Sequence, residues 1–160
     1  MFYVKGVVST ELIDRVKSRS TNNQFYSCPT PDGYSGIVLA GEVESYAYSG
    51  EPFSLYGMSS SSQGLAYQKD DKKSKIESDL FFKISDLTPM HRELASQPYS
   101  PLITLMTVDY LLTAKDLPGW NGDFTEINFK KVIIKALNEL CLGVYGVSRI
   151  KRELEILRNI

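Results

Sequence analysis

A single histidine, His91, limits the acid–base chemistry this chain can carry. It follows Thr88-Pro89 and sits beside Arg92 and Glu93, with no nucleophile near it, so it reads as an exposed or capping histidine rather than a general base. The two cysteines, Cys28 and Cys141, lie far apart, and metal-ligand spacings of the CxxC, HxxxH or HExxH kind are absent. Cys141 falls on the apolar face of a helix pattern and is expected to be a small buried residue. Glu42 and Glu44 would project from one face of a strand. A carboxylate pair there is conceivable, but a solvated strand face is the simpler reading, and the same holds for Asp70-Asp71 in a charged stretch. Gly143 and Gly146 follow a helix rather than a strand, which argues against a phosphate cradle. The inventory names no catalytic residue, metal ligand, cofactor site or small-molecule site. The chain is expected not to be an enzyme.

What remains is electrostatic. Net charge is −1, so no global field draws the chain to nucleic acid or an anionic membrane. From Lys130 onward, however, seven basic residues face three acidic ones. Within that stretch Ser148, Arg149, Lys151 and Arg152 are the candidate contacts to nucleic acid or another anion. They would open the second helix of a helix-turn-helix whose turn contains Gly146. The position that should be buried falls on Arg152, and Glu153 and Glu155 sit in the helix that would read bases. An αα-hairpin whose second helix covers a core or docks on a partner therefore takes precedence, with nucleic-acid binding as the alternative.

The elements around these residues follow from periodicity. Phe2–Val8 reads as a strand, followed by a helix to about Arg19, capped by Ser9 or Thr10, with Leu12, Ile13 and Val16 inward. Ser18 to Gly36 reads as a long surface connection with Pro31-Asp32-Gly33 as a turn. Ile37–Tyr48 is the best strand candidate, alternating after Gly41, and Phe53–Tyr56 can pair with it across Ser49–Pro52. The serine run from Met58 and the charged stretch Lys69–Lys75 read as a flexible loop. Segments 76–87 and 102–115 fit helix or strand: Ile76, Leu80, Ile84 and Leu87 share a helix face, and apolar residues nearly encircle the second. Thr88-Pro89 predicts a short helix to about Ser96. The surest element begins near Asp123 or Thr125 as cap, with Phe129, Ile133, Ala136, Leu137, Leu140 and Cys141 on one face. A second helix, capped by Ser148, follows, with Ile150, Leu154 and Leu157 on its inner face. The fold expected is α+β, with a small antiparallel sheet from the N-terminal half packed on helices from the C-terminal half and an αα-hairpin at the end.

At 160 residues, 42% hydrophobic and 23% charged, the composition suits one globular domain spanning 1–160. Tyrosine is frequent, at ten residues, six of them between Tyr26 and Tyr67, as suits an interaction surface. Met1–Val8 is too short for a signal peptide, and the longest apolar stretch, Leu102–Leu112, is broken by polar residues and far short of a membrane span. Two cysteines do not make a secreted disulfide scaffold. The function expected is a non-enzymatic interaction or structural subunit of a larger assembly, such as a viral or phage particle. It would work through protein partners or self-assembly, in the cytoplasm or within the assembled particle, without membrane or cofactor.

Overall fold

The computed structural model describes residues 6–51, 67 and 72–160. Among them are six α-helices, one 3-10 turn and no β-strand. The expected α+β architecture is contradicted: the described residues are helical, with no sheet among them. The strand expected at Ile37–Tyr48 is helix only as far as Ala40 and turn or irregular chain beyond it, and residues 6–8 of the first expected strand are irregular. Phe53–Tyr56 lies outside the described residues, as do Asp70-Asp71 and the serine run. The helices are α1 (Thr10–Arg19), α2 (Pro31–Ala40), α3 (Lys72–Ser85), α4 (Ile103–Lys115), α5 (Phe129–Leu140) and α6 (Val147–Asn159), with a 3-10 turn at Arg92–Leu94. The chain forms two compact units, Met1–Tyr56 with Tyr110–Glu126, and Gly57–Asp109 with Ile127–Ile160.

In the first unit, α1 starts as its sequence indicates: Ser9 Oγ accepts from the Leu12 N–H at 3.4 Å, and Val16 is fully buried. The reversal comes at α2. Pro31-Asp32-Gly33, expected as a turn, is the first turn of a helix: proline fills N1, where no N–H is needed, and Asp32 sits at the positive end of the dipole. Tyr34, Ser35, Val38 and Leu39 are then buried on one helical face. Burial of that face outweighs the weak strand preference of Ile37 and Val38. Beyond Gly41 the alternating residues form no strand, and residues 44–51 stay exposed.

Two aromatic rings fix the geometry of this unit. Tyr110 packs so closely on Gly33 that a β-carbon there would meet its ring at 2.2 Å, and its hydroxyl bonds Thr30. Trp120 donates Nε1–H to the Val38 carbonyl at 2.9 Å and packs against Gly41 and Gly122. The tryptophan thus has a specific seat between two glycines.

In the second unit, Tyr67, Phe82 and Tyr99 form an aromatic cluster with Phe81, Met106 and Tyr145 packed against it. Both ambiguous segments are helical. Lys72–Lys75, expected within a flexible loop, opens α3. The helix expected after Pro89 shrinks to the 3-10 turn, whose cap is His91: its Nδ1 accepts from the Glu93 N–H at 3.1 Å. The C-terminal helices are present, but their caps differ from expectation. Asn128, not Asp123 or Thr125, caps α5 by accepting from Lys131 N–H at 3.0 Å, and α6 starts at Val147 without a side-chain cap. Gly143, at φ +73°, supplies the left-handed residue of the connection between them. Cys141 is the C-cap of α5 and is exposed, not buried.

Candidate functional site

The four sequence-predicted contact residues part company in the second unit. Ser148 and Lys151 are exposed, whereas Arg149 is buried and Arg152 half-buried. Helix α6 turns Arg149, Glu153, Ile156 and Leu157 inward, an i, i+4, i+7, i+8 stripe that includes two charges. Glu153 is fully buried. Its carboxylate accepts from Tyr67 Oη at 2.5 Å, Ser100 Oγ at 2.5 Å and Arg152 Nη1 at 2.6 Å. Arg152 also donates to the Tyr99 carbonyl at 2.9 Å and to Asp86 at 3.3 Å, with its guanidinium 4.6 Å from the centre of the Phe82 ring. Arg149 donates to Asp79 at 3.1 Å and to Ser78, and lies 5.1 Å from the Tyr67 ring centre. Its Nε is buried without a hydrogen-bond partner.

These contacts make the cluster an internal strut. The burial of Tyr67, and then the nearby negative charge of Glu153, push its hydroxyl above the ordinary tyrosine range, so it remains a donor. Such a network is costly to break and leaves little for a ligand, because its donors and acceptors, Arg149 Nε apart, are paired with one another. A second carboxylate works in the same manner. Glu139 of α5 accepts from the Ile103 and Thr104 N–H groups at 2.8 and 3.1 Å, capping α4 from another helix. Tyr145 donates to it at 3.3 Å, and burial, followed by the charge of Glu139, raises the Tyr145 hydroxyl to about 12.

The first unit carries an open groove of about 640 Å³, lined by residues from Leu12 and Arg15, Ala40 to Ser45, and Asn121 to Asp123. Glu42, expected on a solvated strand face, is instead buried and paired with Arg19, and its second oxygen has no partner. Glu44 is exposed and on no strand. The lining includes the carboxylates of Glu42, Glu44 and Asp123 and the guanidinium of Arg15, but neither thiol nor imidazole. Among the described residues no group of three or more His, Cys, Asp or Glu side chains could hold a metal ion. No helix among them is long and apolar enough to cross a membrane.

The feature that stands open is apolar. On α3 and the turn after it, Ile76, Leu80, Ile84 and Leu87 are 63%, 61%, 63% and 82% exposed. At about 100° per residue they fall within an arc of roughly 80°. Ser78, Phe82 and Ser85, on the opposite side, are buried. The sequence marks the apolar stripe as a helix face but does not say which face turns inward. The aromatic residues at 81 and 82 are the signal for the second face. Further apolar side chains stand out on α5, α6 and their connection, among them Leu142, Val147 and Leu154 at 70%, 67% and 44% exposure. No family model, curated protein or solved structure matches the chain.

Proposed function

We propose that this chain is a non-enzymatic interaction subunit of a larger assembly, and that it docks through apolar helix faces of its second unit. The observation that carries this is the α3 stripe. Fully burying one aliphatic side chain is worth about 1.5–3 kcal/mol. At their present exposure the four together leave on the order of 4–8 kcal/mol unrealised, a sum comparable with the roughly 5–15 kcal/mol net stability of a whole domain. Scattered exposed leucines are ordinary, but four along one stripe, with the opposite face already used for packing, suit a partner surface. The exposed tyrosines Tyr26, Tyr46 and Tyr48 of the first unit suit the same role.

The free, exposed Cys141 fits a reducing compartment, the cytoplasm or an assembled particle formed there. Nucleic-acid binding gains no support from α6, where Arg149 and Arg152 are committed to internal partners and the exposed Lys151 and Arg158 alternate with Glu155.

The test is solution mass by light scattering at low and moderate salt, together with binding of an apolar-surface dye. Wild type should either associate or, as a monomer, bind the dye, and Leu80→Lys with Ile84→Lys should reduce whichever is seen. A monomer that binds no dye and ignores both substitutions would refute the proposal. Duplex binding that weakens steeply with salt and is lost on Lys151→Glu with Arg158→Glu would put the nucleic-acid alternative in its place.

A further inference from the structure

We infer that the solvent face of α5 is a second docking surface, for an acidic segment of a partner protein in which carboxylates are interspersed with apolar or aromatic side chains; the inference rests on the interaction-subunit proposal above. Lys130, Lys131 and Lys135 are exposed on this face together with Ile134, Leu137 and Asn138. At about 100° per residue these six fall within an arc of roughly 160°, opposite the buried Ala136 and Leu140.

The arc carries three positive charges and no negative one. Glu139, the single acid of α5, lies half-buried beyond its edge and is taken up by the start of α4. Among the described residues the three lysines make no ion pair. On α6, which packs against α5, the exposed charges are Lys151, Glu155 and Arg158, so the balance stays positive.

This placement works against the helix itself. Lys130 and Lys131 stand in the first turn, at the positive end of the helix dipole, where acids are favoured and α5 has none. Lys131 and Lys135, one turn apart, repel each other. Carboxylates of a partner relieve both effects, which fixes the sign of the occupant. Ile134 and Leu137, 50% and 38% exposed among the lysines, call for apolar side chains beside those carboxylates.

Two other anionic surfaces suit this face less. A bilayer takes up the apolar side of a helix, and that of α5 is already turned inward on Ala136 and Leu140. Nucleic acid favours arginine forks, whereas this face has no arginine and sets Ile134 between its lysines.

The test is fluorescence anisotropy of a labelled random copolymer of glutamate and tyrosine, titrated with full-length protein. Saturable binding is expected. Raising salt from about 0.1 M to 1 M shortens the Debye length from roughly 10 Å to 3 Å and should weaken it at least tenfold. Lys131→Glu with Lys135→Glu should also weaken it at least tenfold, with a urea midpoint unchanged or higher because the reversed charge at 131 suits the dipole. That midpoint separates a lost contact from a lost fold. Lys151→Glu with Arg158→Glu, on α6, should cost no more than about threefold. No binding at low salt, or binding that ignores the α5 reversal, would overturn the inference. Tighter binding of duplex DNA or of phosphatidylserine vesicles through the same lysines would overturn it in favour of that ligand. The dye-binding test of the α3 stripe involves none of these residues, so either proposal can fail while the other stands.

Discussion

Glu153→Ala is the sharpest perturbation the structure offers. The carboxylate is fully buried and receives three donors, from Tyr67, Ser100 and Arg152, at 2.5 to 2.6 Å. Truncation removes the acceptor but leaves the donors where they are. Arg152 keeps the Tyr99 carbonyl and Asp86. The buried hydroxyls of Tyr67 and Ser100 lose their acceptor, at about 1–3 kcal/mol each. Breaking one side of a buried ion pair costs about 3–5 kcal/mol, and the two estimates agree. With a urea slope of about 2 kcal/mol/M, a loss of about 4 kcal/mol lowers the unfolding midpoint by about 2 M.

Because net stability is only about 5–15 kcal/mol, the alanine variant can lie near its unfolding threshold. Glu153→Gln keeps the shape and one acceptor oxygen while placing an amide N–H₂ among donors. It should lose less than the alanine variant and remain folded. Glu155→Ala, an exposed site two residues on, is the control and should stay within about 0.5 kcal/mol of wild type. Equilibrium urea unfolding followed by circular dichroism reads all three. If Glu153→Ala fell within the same 0.5 kcal/mol as the control, the buried network would carry no stability and the description of the second unit would fail.

Three further outcomes are expected. Gly41→Ala or Gly122→Ala would place a β-carbon 2.3 or 2.1 Å from atoms of the Trp120 ring; each should cost about 1–3 kcal/mol and shift the fluorescence of the sole tryptophan, and an unchanged emission spectrum would rule out the seat. Glu139→Gln weakens the cap on α4 and should cost about 0.5–2 kcal/mol in thermal or urea unfolding, whereas exposed Glu126→Gln should cost almost nothing. Tyr145 rises from its ordinary 10.0 to about 12 in the fold, so its neutral form contributes stability that is complete below pH 10 and lost as pH climbs toward 12. Tyr145→Phe should flatten the stability curve across that window, and an identical slope would refute the assignment.

The sequence made helices legible where two independent signals agreed. In α1 the Ser9 cap and the inward Val16 both point to the element that forms. In α5 the apolar periodicity finds the helix and its buried Ala136 and Leu140, but Leu137 and Cys141 of the same expected face are exposed, and the cap slides from Asp123 or Thr125 to Asn128, since any short polar residue before a periodic run can serve. The failure at α2 is different in kind. Pro-Asp-Gly begins a turn or a helix with equal chemistry, and only the burial of Tyr34, Val38 and Leu39 decides between them. Strand alternation at 43–48 had no such support: among the described residues no strand lies beside it, and a strand needs a partner. The open groove of the first unit was equally hidden, since its walls come from α1, the chain after α2 and the stretch after Trp120.

The orientation of α6 shows most directly why function was harder to see than fold. Apolar periodicity grouped Ile150, Leu154 and Leu157 as the inner face, but the helix is turned by roughly 80° from that choice. Arg149 and Glu153 go inward and Leu154 is 44% exposed. A hydrophobic count cannot anticipate this, because the groups that make burial of Glu153 tolerable are Tyr67 and Ser100, 86 and 53 residues away. A basic helix in sequence thus becomes one whose arginines brace the interior, while Val147 and Leu154 face solvent. With charge engaged internally and apolar side chains left outside, α6 has the same character as α3. A partner that covers either helix gains mainly by removing apolar area from water, and its binding should depend little on salt.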